Sequence, residues 1–413
     1  MGKALMMASR PGDTLGSGSE INFFGYGADT TTEVNTQASC TEAADFTNLR
    51  ASIISGGSGT NTFRFRDAGA NGQNVIDIVG AASGEDTTNT DSLSAGDLFN
   101  IAYTDTGTNS GAAWAACNVT FASGHGTFHG CANYAGSIHD VASATRFYTI
   151  SGALINDGTA TEDNVEWKVR GYSSFEALQV RVLANARTNN SDFRNRIDGA
   201  NGSLLVQFTT GATGLISDTS PADSLSDGQT INTSLTLDTG VEDLNVTFIC
   251  STLKSSSSKS ETFCDARSIA GGTARAASST ANYLPIGGDC LSLTALTEAQ
   301  ARIKPGFAAV VSNLRCYLSA NTYTGNGTLK LYQNSNAVMT TTITASGGAG
   351  WYENTSDTIT IDADDELSFA FDEGTSGSIT IHAVGITFAP VAAPGGTILP
   401  QIMQHGLFLG MRT

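Results

Sequence analysis

The sequence predicts an all-β chain of three tandem antiparallel β-sandwiches. Three observations lead there. One pattern of residues recurs three times along the 413 residues. Within each copy, apolar residues alternate with polar ones over short runs broken by Gly, Asn, Asp and Ser, the signature of half-buried strands. The chain is 40% hydrophobic but only 15% charged, so its polar surface must be Ser, Thr, Asn and Gly, which favour strands and turns over helix.

The recurrence is clearest in residues 63–98. Phe63-Arg64-Phe65-Arg66 is followed by Asn71-Gly72, by Val75-Ile76-Asp77-Ile78 and by a segment from Asp86 to Asp91-Ser92-Leu93. Phe193-Arg194-Asn195-Arg196, Asn201-Gly202, Leu204-Leu205-Val206 and Asp218 to Asp223-Ser224-Leu225 repeat it. A more diverged third copy runs from Leu329-Lys330-Leu331-Tyr332 to Ile361 and Leu367. Three units of about 100 residues suit ordinary domain sizes.

Each unit opens on aromatics: Phe23-Phe24 with Tyr26, Phe147-Tyr148, and Tyr283. A Thr-Glu pair follows, at Thr41-Glu42, Thr161-Glu162 and Thr297-Glu298. Next come strands containing Asn48-Leu49-Arg50, Ala177-Leu178-Gln179 and Asn313-Leu314-Arg315. The units close on Asn118-Val-Thr-Phe121, Asn245-Val-Thr-Phe248 and Gly385-Ile-Thr-Phe388. The closing phenylalanines are expected to lie between the sheets. A helical pattern is visible only over Leu293–Ile303, with Thr297 as N-cap and Pro305 beyond its end. Without crossover helices, parallel sheets are excluded and facing antiparallel sheets remain.

These boundaries give an extended N-terminal arm at 1–19 and sandwiches at 20–122, 145–249 and 281–389. Connectors fall at 123–144 and, Ser-rich, at 250–280. An apolar tail occupies 390–413. That tail carries Ile398, Leu399, Ile402, Met403, Leu407, Phe408 and Leu409 after a Pro-Gly break, so it is expected to contact a neighbouring subunit.

The turn at Ala95-Gly96-Asp97-Leu98 returns at Asp227-Gly228-Gln229 and Asp364-Asp365-Glu366-Leu367. With the strand pattern around it, this resembles the tandem jelly-roll domains of bacteriophage virion proteins, those displayed on heads and tails. The resemblance spans nearly all of residues 20–389 and implies jelly-roll-like sandwiches in a structural protein. Such a protein would decorate or cement a capsid, or form part of a tail appendage. Its partners would be identical subunits or other virion proteins, and it would reach the virion from the host cytoplasm. A glycan- or receptor-binding fibre module and an extracellular filament subunit are the alternatives.

The function classes narrow further. A net charge of −18 repels phosphate and argues against nucleic acid. No apolar stretch is long enough for a membrane span, and the opening apolar run is too brief for a signal peptide. No nucleophile elbow, phosphate loop or H-E-x-x-H occurs, so an enzyme is not expected. Asp86, Asn89 and Asp91 have hard oxygen ligands at a spacing open to calcium, but Asx-type turns explain them more simply. Cys117, His125, His129 and Cys131 match no common zinc spacing. No metal or cofactor is therefore expected. The seven cysteines cannot all pair within the chain. Cys117 and Cys131 are separated by the same step as Cys250 and Cys264, which leaves two readings open, a pair of disulfide staples close enough to form or buried free thiols. Trp114, Trp167 and Trp351 lie at non-equivalent places, which argues against a repeated sugar platform.

Overall fold

The computed structural model describes residues 3–15, 18–21, 32–55, 59–107, 110–139, 144–154, 158–238, 242–265, 273–276, 282–289, 296–372 and 376–391. Six sheets pack as three sandwiches, each with two facing sheets. Among the described residues, eight main strands recur per sandwich. In the first they are Ala4–Leu15, Ser19–Ile21, Ala44–Ser55, Thr60–Asp67, Ala70–Val79, Ser83–Leu93, Leu98–Asp105 and Ser110–Phe121. One sheet orders them first–eighth–third–sixth and the other second–seventh–fourth–fifth. That is the strand order of a jelly roll, two interlocked Greek keys. The second sandwich repeats it from His125–His139 to Leu244–Ser255, and the third from Ser260–Asp265 to Ser378–Pro390.

The first strands depart from the expected boundaries. Residues 1–19 are no free arm, because Ala4–Leu15 pairs antiparallel with Ser110–Phe121. The stretch 123–144 holds His125–His139, paired with Leu244–Ser255. The Ser-rich stretch 250–280 contains the end of that eighth strand and the split first strand of the third sandwich, Ser260–Asp265 and Thr273–Ala276. Each first strand pairs with a partner about 100 residues away in sequence, so no local signal marks it. The first one also breaks period two, with a register shift between Ser9 and Asp13 around Pro11.

Alternation builds the cores. Phe63 and Phe65 are wholly buried, while Arg64 and Arg66 point outward. The fourth–fifth hairpins turn through paired left-handed residues: Ala68-Gly69, Asp198-Gly199 and Asn334-Ser335. Two consecutive positive φ angles match the right-handed twist of the flanking strands. Arg66 braces the first hairpin by donating to Gly69 O and Asn71 Oδ1 and by pairing with Glu33 at 2.9 Å. Arg196 does the same with Gly199, Asn201 and Glu162. Glu33, Glu162 and Glu298 each open a short helix, at Glu33–Asn35, Glu162–Val165 and Glu298–Ala301. The unit-one counterpart of Thr161-Glu162 is thus Thr32-Glu33 rather than Thr41-Glu42. Thr297 caps the third helix in a capping box with Gln300, shorter than the expected span. The aromatic opening of the first unit lies outside the described residues.

Phe121, Phe248 and Phe388 are all fully buried. Phe121 and Phe388 fill their own sandwiches, but Phe248 joins the hydrophobic cluster of the first sandwich. A register shift beside Val246 turns it to the opposite face of its sheet.

Candidate functional site

The polar chemistry of the molecule is concentrated where sandwiches meet. In the first–eighth–third–sixth sheet of each sandwich the third and eighth strands are largely buried on both faces, while the sixth strand keeps exposed residues. The inner face of the sheet covers its own core, and its outer face receives the segment after a neighbour's short helix. Second packs on first, third on second, and first on third. The three first strands touch one another pairwise at the centre. Head-to-tail contacts of this kind close into a ring, here within one chain.

At the junction of the second and third sandwiches, Arg315 Nη2 donates to Glu261 Oε2 at 2.5 Å, and both side chains are completely buried. The same carboxylate oxygen accepts from Trp167 Nε1 at 2.8 Å, and Oε1 accepts from the Arg170 amide at 2.6 Å. Arg315 also donates to Lys168 O at 3.1 Å and lies 4.5 Å from the Trp167 ring centre. Burial lowers the Arg315 pKa, and Glu261 opposes that shift. Trp167 packs on Phe263 and meets Trp351 edge-on. Around the rim, Lys168 and Arg170 both pair with Glu353.

The junction of the first and second sandwiches repeats the plan with different residues. Gln179 lines up with the Ser39 backbone, accepting from its N–H at 3.1 Å and donating to its carbonyl at 2.7 Å. Arg181 donates to Gln37 O at 3.2 Å and lies over Phe248. Burial lowers its pKa to about 10. Phe128 inserts between Phe99 and Phe121, and Lys254 pairs with Glu42.

At the junction of the first and third, Asn48 Nδ2 donates to Gly306 O at 3.2 Å and Arg50 Nη2 to Asn118 Oδ1 at 2.6 Å. Trp114 Nε1 reaches Gln300 O at 3.3 Å. Asn48 and Asn313 take the same left-handed conformation, φ 53° and 56°, just before Arg50 and Arg315.

Asp86 and Asp91 form hydrogen-bonded cross-links. Asp86 accepts from the amides of Val75, Thr88 and Asn89, and Asp91 from those of Gln73 and Asn74. Burial raises the Asp86 pKa, but the Asn89 side chain and these amides outweigh it and hold it at about 2. Asp218 and Asp223 bind Leu205 and Ser203 likewise. Of the two readings of the cysteines, the Cys117–Cys131 and Cys250–Cys264 staples do not form. Cys117 and Cys250 are free buried thiols. Cys264 is disulfide-bonded, but not to Cys250. Cys131 and Cys264 occupy matching places on their first strands, each beside a short parallel strand, at Gly152 and Gly288. The shared step in sequence therefore marks equivalent strands rather than loop ends. Tail residues Ile398, Leu399, Ile402, Met403, Leu407, Phe408 and Leu409 lie outside the described residues.

Sequence reasoning missed the junction residues. A usable signal existed: an Arg within an apolar third strand, at the same place in Asn48-Leu49-Arg50 and Asn313-Leu314-Arg315. Glu261 had none, because its strand was read as a connector.

No protein-family model matches the sequence, and no curated protein does. Solved structures give slight similarities. The major capsid protein P2 of bacteriophage PM2 matches at 9% identity and TM-score 0.17, over 65% of this chain and 99% of that one. A triple jelly-roll protein of an archaeal virus matches at 10% identity and TM-score 0.19, over 95% and 90%. A Paenibacillus xanthan lyase matches at 9% and 0.19, over 83% of this chain and 51% of the lyase. The fold assignment rests on strand order and needs none of them.

Proposed function

We propose that this chain is a non-enzymatic structural protein of a bacteriophage particle, which decorates or cements the head or forms part of a tail appendage. The observation that carries the reading is the closed ring of three jelly rolls. A shell component must hold a fixed outline while its edges meet neighbours. The ring supplies such a body, because each sandwich is pinned to the next by buried polar bonds and shared apolar clusters. At the junction of the second and third sandwiches the buried acid and base are engaged in holding backbone and an ion pair, Glu261 with Arg315, Trp167 and Arg170. That occupation favours an architectural role over acid–base chemistry. Identical subunits or other virion proteins are the partners this role requires. The test is immunogold electron microscopy of released particles with antibody against the purified chain. Label on particle surfaces is expected. Label confined to particle-free protein overturns the proposal.

A further inference from the structure

Two buried histidines lie where the second sandwich meets the third. His129, on the first strand of the second, shares its Nε2 bond with the Tyr172 hydroxyl. That hydroxyl accepts from the Glu261 N–H at 2.9 Å and reaches the Glu261 carbonyl at 3.2 Å, which ties His129 to the first strand of the third. The His129 ring also stands 4.5 Å from the ring of Phe263 on that strand. His382, on the eighth strand of the third, shares a 2.8 Å bond with the Ser319 hydroxyl and faces the backbone of Asn164, in the short helix of the second. His129 is 7% exposed and His382 2%, so both rings are dry while the junction is shut.

Their surroundings offer a proton little. Beside Tyr172 the charged groups are Glu261 and Arg315, already paired with each other, so a protonated His129 adds a second cation there. The titratable neighbour of His382 is Tyr317, whose pKa burial raises, with Asp163 and Glu166 of the second sandwich adding to it. Burial holds His129 at a pKa of about 3 and His382 at about 4. On the rim, burial raises Glu353, but Arg170 and Lys168 outweigh it and keep its carboxyl below the usual range. That link therefore stays charged at a pH where free histidines draw protons. His125 bonds Ser258 in the turn between the two sandwiches, but it is already half-exposed and gains less on opening.

We infer that the junction of the second and third sandwiches is an acid-sensitive joint, whose opening lets His129 and His382 take up protons while the other two junctions stay closed. The closed form keeps both imidazoles neutral, and the open form returns them to the ordinary 6.5. Below that pH each histidine favours the open form by up to about tenfold per pH unit. At the other junctions the central bonds join Gln179 to Ser39 and Asn48 to Gly306, with Arg181 and Arg50 cationic throughout, so acid has no such hold there. Opened, the third sandwich stays tied to the first and bares Trp167 and Phe263.

The test is hydrogen exchange of the full chain at pH 6.5 and pH 5, read by mass spectrometry and corrected for the intrinsic pH dependence of exchange. The Arg170 amide reports this joint, because it donates to Glu261 Oε1, and the Ser39 amide reports the first–second junction, because it donates to Gln179 Oε1. Between the two pH values, protection at Arg170 is expected to fall more than about tenfold and at Ser39 to stay within about twofold. With His129→Gln and His382→Gln together, the fall at Arg170 should shrink to that at Ser39. An equal change at both amides in the native chain overturns the inference, as does a native response in the folded double variant. If the double variant does not fold, His382→Gln alone decides: a smaller fall at Arg170 supports the joint and an unchanged one overturns it.

Discussion

Arg315 and Glu261 show how much one residue pair sets at a junction. With both side chains at 0% exposure, removing either leaves the other charge without its partner in a dry interior. Arg315→Met or Glu261→Gln alone should cost about 3–5 kcal/mol in urea unfolding. Replacing both by apolar residues should cost less than the sum of the two, because no charge is then left behind. The buried histidines give a pH dependence. His129 shares a hydrogen bond of 2.7 Å with the Tyr172 hydroxyl, and His139 one of 2.8 Å with that of Tyr148. Burial holds both near a pKa of about 3, below the ordinary 6.5. A depressed pKa in the folded state means that the unfolded chain takes up protons first as pH falls. Stability is therefore full above about pH 6.5 and declines from there toward pH 3. Midpoints measured from pH 8 to pH 4 should fall through that window, with a shallower slope in His129→Gln.

At the scale of elements, the segment after each short helix is the part a neighbouring sheet grips. Gly306 shows how close the grip is. Its φ is +73°, and a Cβ there would stand 2.3 Å from Arg50 Nη1. Gly306→Ala should destabilise the chain by more than the roughly 1 kcal/mol of a strained backbone alone, as read by thermal unfolding. Gly348→Ala is the control, because it shares a positive φ but has open space around it. Much of this level was legible in the sequence. Phe63, Phe65 and Phe193 alternate with polar residues because one sheet face is dry and the other wet, so period two exposed their strands. Thr297 announced its helix through a cap whose chemistry is local. The first strands were not legible, since what makes Ala4–Leu15 a strand is a partner far along the chain. The junctions were hidden for the same reason. They also cover the outer face of the third and eighth strands, so Gln179 and Arg181, polar residues that alternate with Leu178, Val180 and Val182, meet a neighbour where alternation alone points to water.

For the whole molecule, sharing of clusters implies shared cooperativity. Phe128, Ala132, Phe248 and Cys250 of the second sandwich belong to the hydrophobic cluster of the first. Phe263 and Ala383 of the third belong to that of the second, and Leu5, Trp114 and Ala116 of the first to that of the third. Scanning calorimetry of the full chain should give one main transition rather than three. A fragment of residues 125–255 should bind a hydrophobic dye that the whole chain excludes, because it exposes Phe128 and Phe248. A fragment that stays monomeric, dye-free and as stable as the full chain would contradict this.

The contact of the first sandwich with the third also fixes an order in time. Leu5, Trp114 and Ala116 lie in the hydrophobic cluster of the third sandwich, together with Ile303 and Phe307. On a ribosome, the first sandwich emerges with that face bare and must wait for nearly two hundred further residues to be made. Through that interval its outer sheet is a surface to which a second nascent copy can stick. Polysomes carrying several copies would be the place where mispairing begins, and slow elongation would lengthen the exposure.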